Sequence, residues 1–364
     1  MSSPDPRSRA ARHACRQESA IRTLSDYIKF IWKVVEPGKK LRWNWHLDVA
    51  CEELEAFARG EVRDLNLSMP PGSLKSYLVS VFYPTWVWLR DPQERSLYLS
   101  SADDAMSRDS KRCRDILLSP RYQRLVERVA KDGGPAVWGL SRDQNEKENF
   151  ENTARGFRQC RTLTSNFTGQ HVRTIGVDDP VNVAALLLAG PVQRANLLQQ
   201  AHDVVERVLP GRFEELATGR RILCMQRLDV DDPVGRFLRS PAAHDPGTRV
   251  VIIQAEYDPD HPWRHPKDPR TRKGENFFAA QFPDVELRRQ RARLGEADYE
   301  AQYNQDPRPF GGTVFKSEYL QQVYTTNPSL LALDEQAITI DCAFTKTDDS
   351  DYVSMQVWGR RAAR

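Results

Sequence analysis

The sequence predicts an α/β fold: a mostly parallel sheet with helices on both faces. Three observations predict it. Short apolar runs of about five residues alternate with stretches of helical periodicity, the pattern of βαβ units. One run, at 65–69, leads through a Pro/Gly/Ser turn into a helix that opens on Lys75-Ser76. Another, Thr174-Ile175-Gly176-Val177-Asp178, ends in acid and is followed at once by Asp179.

Composition narrows the class. At roughly 150 residues per domain, 364 residues suggest two domains. Hydrophobic residues make up 40% and charged residues 28%, enough for a sizeable core. The balance of 53 basic against 50 acidic residues does not by itself imply a polyanionic partner. No run reaches the ~18 apolar residues of a membrane helix, so no membrane role is expected. The six cysteines form no CxxC pair, which disfavours a zinc ribbon or a disulfide scaffold and suits a reducing cytoplasm. His261 and His265, in HPWRH, lack a companion ligand and read as loop.

The elements follow in order. Residues 1–17 are Arg-rich without an apolar segment and read as a disordered tail, not a secretory signal. Ile21, Leu24, Ile28, Ile31 and Val35 recur at helical spacing until Pro37-Gly38. Leu47, Cys51, Leu54 and Phe57 mark a second helix stopped by Gly60. A strand at 65–69, a helix at 75–89, a strand at 96–100 and a polar helix at 103–118 come next. Further strands are predicted at 174–178, 221–225 and 249–253. Residues 255–275 read as loop, and 284–304 as one or two charged helices. The Pro/Gly-rich stretch 306–312 is the best linker, and 337–341 and 352–358 read as two strands of a new unit.

The turn before Lys75 carries the chemistry. A phosphate-binding loop needs backbone amides facing a concavity, a lysine for the β/γ-phosphates and a hydroxyl for Mg²⁺. Lys75-Ser76 supply the last two, but Met69 and Leu74 hold the two glycine positions of GxxxxGK[ST]. The loop nonetheless follows an apolar strand and opens a helix, whose N-terminus favours an anion. An ordinary βα turn with a Pro-Pro entry is the alternative. Asp178-Asp179 then match the demand for one carboxylate near Mg²⁺ and a second near the attacking water. Order and context together favour an ATPase with a P-loop parallel sheet.

Read together, these segments resemble the large terminase subunits of tailed phages, which are DNA-packaging motors. Pro70-Pro71-Gly72-Ser73-Leu74-Lys75-Ser76 and Val177-Asp178-Asp179-Pro180 resemble the family's deviant Walker A and Walker B. Trp45-His46 resembles the adenine-side segment. Gly156-Phe157-Arg158 and Thr168-Gly169-Gln170-His171 resemble the approach to Walker B. The run from Met225 to Arg236 resembles the coupling motif, although Gln226 replaces a small hydroxyl residue and Leu228 an aromatic. Residues 303–307 and 311–315 resemble the junction to a nuclease, and 340–344 with 348–352 its first RNase H-like strands.

The resemblance implies a division into a tail at 1–17, a P-loop ATPase domain at 18–310, a linker at 311–333 and the start of an incomplete RNase H-like domain at 334–364. It implies ATP and Mg²⁺ as cofactors. Pro71, Gly72, Ser73, Leu74, Lys75 and Ser76, with Trp45 and His46, would bind ATP. Ser76 and Asp178 would hold Mg²⁺, Asp179 would act on the water, and Asp341 would be a nuclease metal ligand. A lone carboxylate does not make a two-metal nuclease site, so cleavage is not expected of this chain as given. Arg158 is a candidate arginine finger from a neighbouring subunit, and Arg227 a candidate γ-phosphate sensor. The alternative is a solvated or salt-bridged arginine for Arg158 and a structural ion pair for Arg227.

The implied partners are double-stranded DNA, a portal protein, a small terminase subunit and further copies of the chain in a ring on the portal. The implied place is the host cytoplasm, transiently at the procapsid. DNA contact would be to phosphates, through the basic stretches Arg108–Arg114 and Arg288–Arg293; plain solvated helix faces are the alternative for both. Two other readings compete: a DNA-binding or nuclease accessory protein with an inactive P-loop, and a helicase-like ATPase.

Overall fold

β1 (Asp64–Ser68) lies between β7 (Arg220–Met225) and β8 (Thr248–Ile252), parallel to both. These three strands form one side of an eight-stranded sheet, with β8 at its edge, in a computed structural model that describes residues 15–165, 171–308, 335–341 and 354–360. The other strands are β2 (Ser96–Ser100), β3 (Leu140–Asn145), β4 (Asn149–Asn152), β5 (Phe157–Thr162) and β6 (Thr174–Asp178). The order is β3-β4-β5-β2-β6-β7-β1-β8. Pairing is parallel from β5 through β8, while β4 runs antiparallel to both β3 and β5. The fold is thus α/β with a mostly parallel sheet, as the alternation of elements implied.

Strand side chains alternate between two cores, because successive Cβ atoms point to opposite faces. Leu65, Leu67, Ile222 and Cys224 join one core with the helices Leu24–Val35, Trp45–Ala58 and Asp103–Leu118. Ile175, Val177, Leu223 and Met225 face the other, with the helices Pro191–Asp203 and Pro233–Leu238. A sheet buried on both faces explains why its central strands read as continuous apolar runs. Gly60, at φ 78°, ends the second helix as expected.

The helix after Lys75 departs from the single run expected. It widens into a π-turn over Tyr77–Phe82 before continuing as the helix Tyr83–Val87. Within it, the Tyr83 amide donates to the carbonyl of Leu78, five residues back. Pro84 has no N–H for the carbonyl four residues earlier, that of Ser80, so the regular ladder fails there.

The chain divides into two units, Met1–Pro309 and Phe310–Arg364. In the second, β9 (Glu335–Asp341) pairs antiparallel with β10 (Ser354–Arg360). The segments 1–14, 168–170, 311–333 and 342–353, on which parts of the sequence reading fall, lie outside the described residues. Among the described residues no helix is long and apolar enough to cross a membrane.

Candidate functional site

β1, β2, β6 and β7 run in one direction, so their carboxyl ends share one edge of the sheet. That edge is where open α/β sheets bind ligands. Four segments meet there: the turn 69–76 after β1, Ser100-Ser101 after β2, Asp178-Asp179 closing β6, and Gln226 after β7.

β7 separates β1 from β6, placing the turn and the acids roughly 10 Å apart at about 4.8 Å per strand. The lysine bridges that gap. Lys75 Nζ lies 3.3 Å from Asp179 Oδ2 and 3.5 Å from Gln226 Oε1, with only 6% of the residue exposed. Burial disfavours its ammonium, but the charges of the neighbouring acids, Asp179 foremost, more than offset this and raise its pKa. The cation therefore persists inside the fold.

Ser76 Oγ donates to Asp178 Oδ1 at 3.1 Å, and Ser80 Oγ donates to Asp178 Oδ2 at 3.0 Å. Burial, and then the charge of Asp179, push the Asp178 carboxyl up to about 7, against the pull of Lys75. Asp179 is more open and adopts φ 46°, with its carbonyl accepting from the amide and hydroxyl of Ser101. A cavity of about 240 Å³ opens beside these groups, bordered by Ser76, Ser80, Asp109, Arg158, Asp178 and Asp179.

The turn carries two left-handed residues. Gly72 has φ 80° and Leu74 φ 70°, so the residue before the lysine adopts the left-handed conformation that glycine usually supplies. Ser73 closes the turn, donating its amide and hydroxyl to the Pro70 carbonyl. Outside the turn, Gln281 donates to the Gly72 carbonyl, and a Cβ on Gly72 would meet Phe282 at 3.4 Å.

Trp45 and His46 brace this outer wall. Trp45 Nε1 donates to the Phe277 carbonyl, and the Arg270 guanidinium stacks on its ring. His46 sits between Phe277 and Phe278, 1% exposed. Burial lowers its pKa to about 4, against a backbone contact with Ser73, so it is neutral. His46, expected to bind ATP, is packed beneath the turn.

Two arginines are held by contacts within the chain. Arg158 is 2% exposed, lies over the Tyr98 ring at 4.4 Å and donates to the Ser80 carbonyl at 2.9 Å. Arg227 makes a two-oxygen ion pair with Asp232, which is fully buried and also accepts the amides of Leu228 and Gly235. That pair organises the turn after β7, and the neighbouring Gln226 reaches Lys75.

In the basic stretches, Arg112 pairs with Asp109 and Glu36, and Arg291 with Glu256, Glu296 and Glu300. Lys111, Arg288 and Arg293 remain exposed. Asp341 closes β9, and its side chain lies outside the described residues. Sequence reading missed Gln226 and Ser80 as members of the site. Ser80's position four residues after Ser76 on one helix was the available signal for it.

No protein-family model matches the chain, and no curated protein matches it. Among the solved structures it resembles are three phage DNA-packaging proteins. One is the large terminase of bacteriophage HK97, with 13% identity over 76% of this chain and a TM-score of 0.46. A second is a mutant large terminase ATPase domain of Thermus phage P74-26, with 11% identity over 76% of this chain, 96% of that chain and a TM-score of 0.40. A third is the Phi-28 gp11 DNA packaging motor, with 11% identity over 84% of this chain, 79% of that chain and a TM-score of 0.34. The chain spans about half (53%) of the HK97 chain's length.

Proposed function

We propose that this chain is the ATP-hydrolysing part of a DNA-packaging motor of the large-terminase class. The observation that carries the reading is the approach of Lys75 Nζ to Asp179 at 3.3 Å, beside the Ser76–Asp178 hydrogen bond, at the carboxyl edge of a parallel sheet. An inactive degenerate loop has no reason to keep an ammonium, a hydroxyl and two acids converged. The packaging role rests on the order of motifs in the sequence.

The donor set fits Mg²⁺, which takes oxygen ligands, uses few protein groups and keeps several waters. Ser76 and Asp178 would hold it, and it would neutralise charge on the phosphates when bound. Lys75 would bind the β/γ-phosphates, the amides of 72–76 would cradle them, and Asp179 would orient the attacking water. Gln226, held against Lys75, would sense what occupies the pocket. Double-stranded DNA, a portal and further copies of the chain are the partners this reading assigns.

ATP turnover with and without double-stranded DNA is the test. DNA-stimulated hydrolysis lost in both Lys75→Ala and Asp178→Asn supports the motor. Absence of hydrolysis in the wild type, or rates unchanged in both variants, removes it.

A further inference from the structure

We propose that Ser80 is a positioning residue for Asp178, held in place by Arg158 and by the missing N–H of Pro84. The inference rests on the ATPase reading and extends it beyond the residues of the two motifs.

The argument starts from a backbone defect. In a regular helix the Ser80 carbonyl would accept from residue 84, and residue 84 is proline. A buried carbonyl without a partner is costly, so another donor must serve it. Two side chains do. Arg158 Nη2, from β5, donates to it at 2.9 Å, and Cys113 Sγ, from the helix Asp103–Leu118, approaches it at 3.2 Å. Arg158 is fixed in turn by the Ser110 hydroxyl at 3.2 Å and by the Tyr98 ring. A Cβ on Gly176 would fall 2.4 Å from that ring, so the glycine in β6 is what admits Tyr98 there. The widened turn Tyr77–Phe82 is the shape the helix takes around this substitution of donors.

The consequence lies on the opposite side of Ser80. Its hydroxyl donates to Asp178 Oδ2 while Ser76 donates to Oδ1. Both carboxylate oxygens are thereby tied to one helix, four residues apart, and the carboxylate plane cannot rotate freely. Ser80 is 6% exposed and borders the same cavity, so it acts through Asp178 from behind the pocket. A ligand-holding group fixed before binding loses less freedom on binding.

The test compares Ser80→Ala, Ser80→Cys and Ser80→Thr in the full chain. Nucleotide affinity is measured in EDTA and across a Mg²⁺ titration, alongside the Mg²⁺ dependence of ATP turnover. In Ser80→Ala the Mg²⁺ concentration giving half the effect should rise about five-fold, with affinity in EDTA unchanged. Ser80→Cys keeps the volume with a weaker donor and should shift the same way. Ser80→Thr keeps the hydroxyl and should restore the wild-type value. A Mg²⁺ dependence unchanged in both Ala and Cys variants overturns the proposal, as does failure of Thr to restore it. If the wild type shows no hydrolysis, the ATPase reading fails instead; an active wild type with unshifted Ser80 variants sinks this inference alone.

Discussion

The Ser76 hydroxyl meets the Asp178 carboxylate at 3.1 Å across 102 residues of intervening sequence. The contact joins the first turn of one helix to the end of a strand two places away in the sheet. Both partners belong to the chain itself, so the contact can be tested by stability as well as by turnover.

Asp178 is held partly against its own charge. Its folded pKa of about 7 lies above the ordinary value, so the folded state binds more protons than the unfolded one between roughly pH 4 and 7. Its ionisation therefore costs stability as pH rises through that window. Asp178→Asn should raise the melting temperature at pH 8, with an upper bound of about 4 kcal/mol from a three-unit shift. The gain should vanish by pH 4. Thermal melts of both proteins from pH 4 to 8 check this, and a destabilised variant at pH 8 contradicts it.

His46 gives the opposite slope. Its folded pKa of about 4 lies below the unfolded value, so the unfolded state takes the proton first. Stability should fall as pH drops from about 6.5 to 4, by about 3 kcal/mol from this group. His46→Gln should flatten that limb relative to wild type. Urea unfolding at pH 7 and pH 4.5 reads the difference, and parallel losses in both proteins would refute the assignment.

Leu74 stands at φ 70°, a conformation costing a residue with a Cβ about 1–2 kcal/mol. Ordinarily glycine is less stable than alanine in folded structure. Here the order should invert: Leu74→Gly should be more stable than Leu74→Ala by about 1 kcal/mol, because only glycine relieves the backbone. Chemical denaturation of the two variants decides it.

Arg270 anchors the long loop after β8. It is 4% exposed, pairs with Asp268 through both oxygens and donates to the carbonyls of Gln254 and Glu275. Arg270→Ala leaves a buried carboxylate unpaired and should cost about 3–5 kcal/mol. The loss should also free Trp45, seen as a shift in tryptophan emission; unchanged stability would show the anchor to be dispensable.

Much of the sheet was legible because its central strands are buried on both faces. Residues 96–100, 174–178 and 221–225 read as apolar runs for that reason. β3, β4 and β5 were not legible. Their sequences, such as Asn149-Phe150-Glu151-Asn152, are polar and unpatterned, and β5 buries Arg158 and Gln159 instead of aliphatic residues. Lys75, Ser76, Asp178 and Asp179 were legible as a set because each chemical role admits few residue types. The contacts of Arg158 and Arg227 were not legible because an arginine's setting depends on its partners, and Ser80 and Asp232 are distant or unmarked in a linear reading. Gln226 was visible only as a departure from a pattern.

The proline at position 84 sets a timetable. Since a pyrrolidine ring can never donate, the bulge above it is written into the covalent chain and arises whenever the helix forms. Two hydroxyls of that helix hold the Asp178 carboxylate, so the covalent chain itself sets how the neighbouring cleft presents its acid.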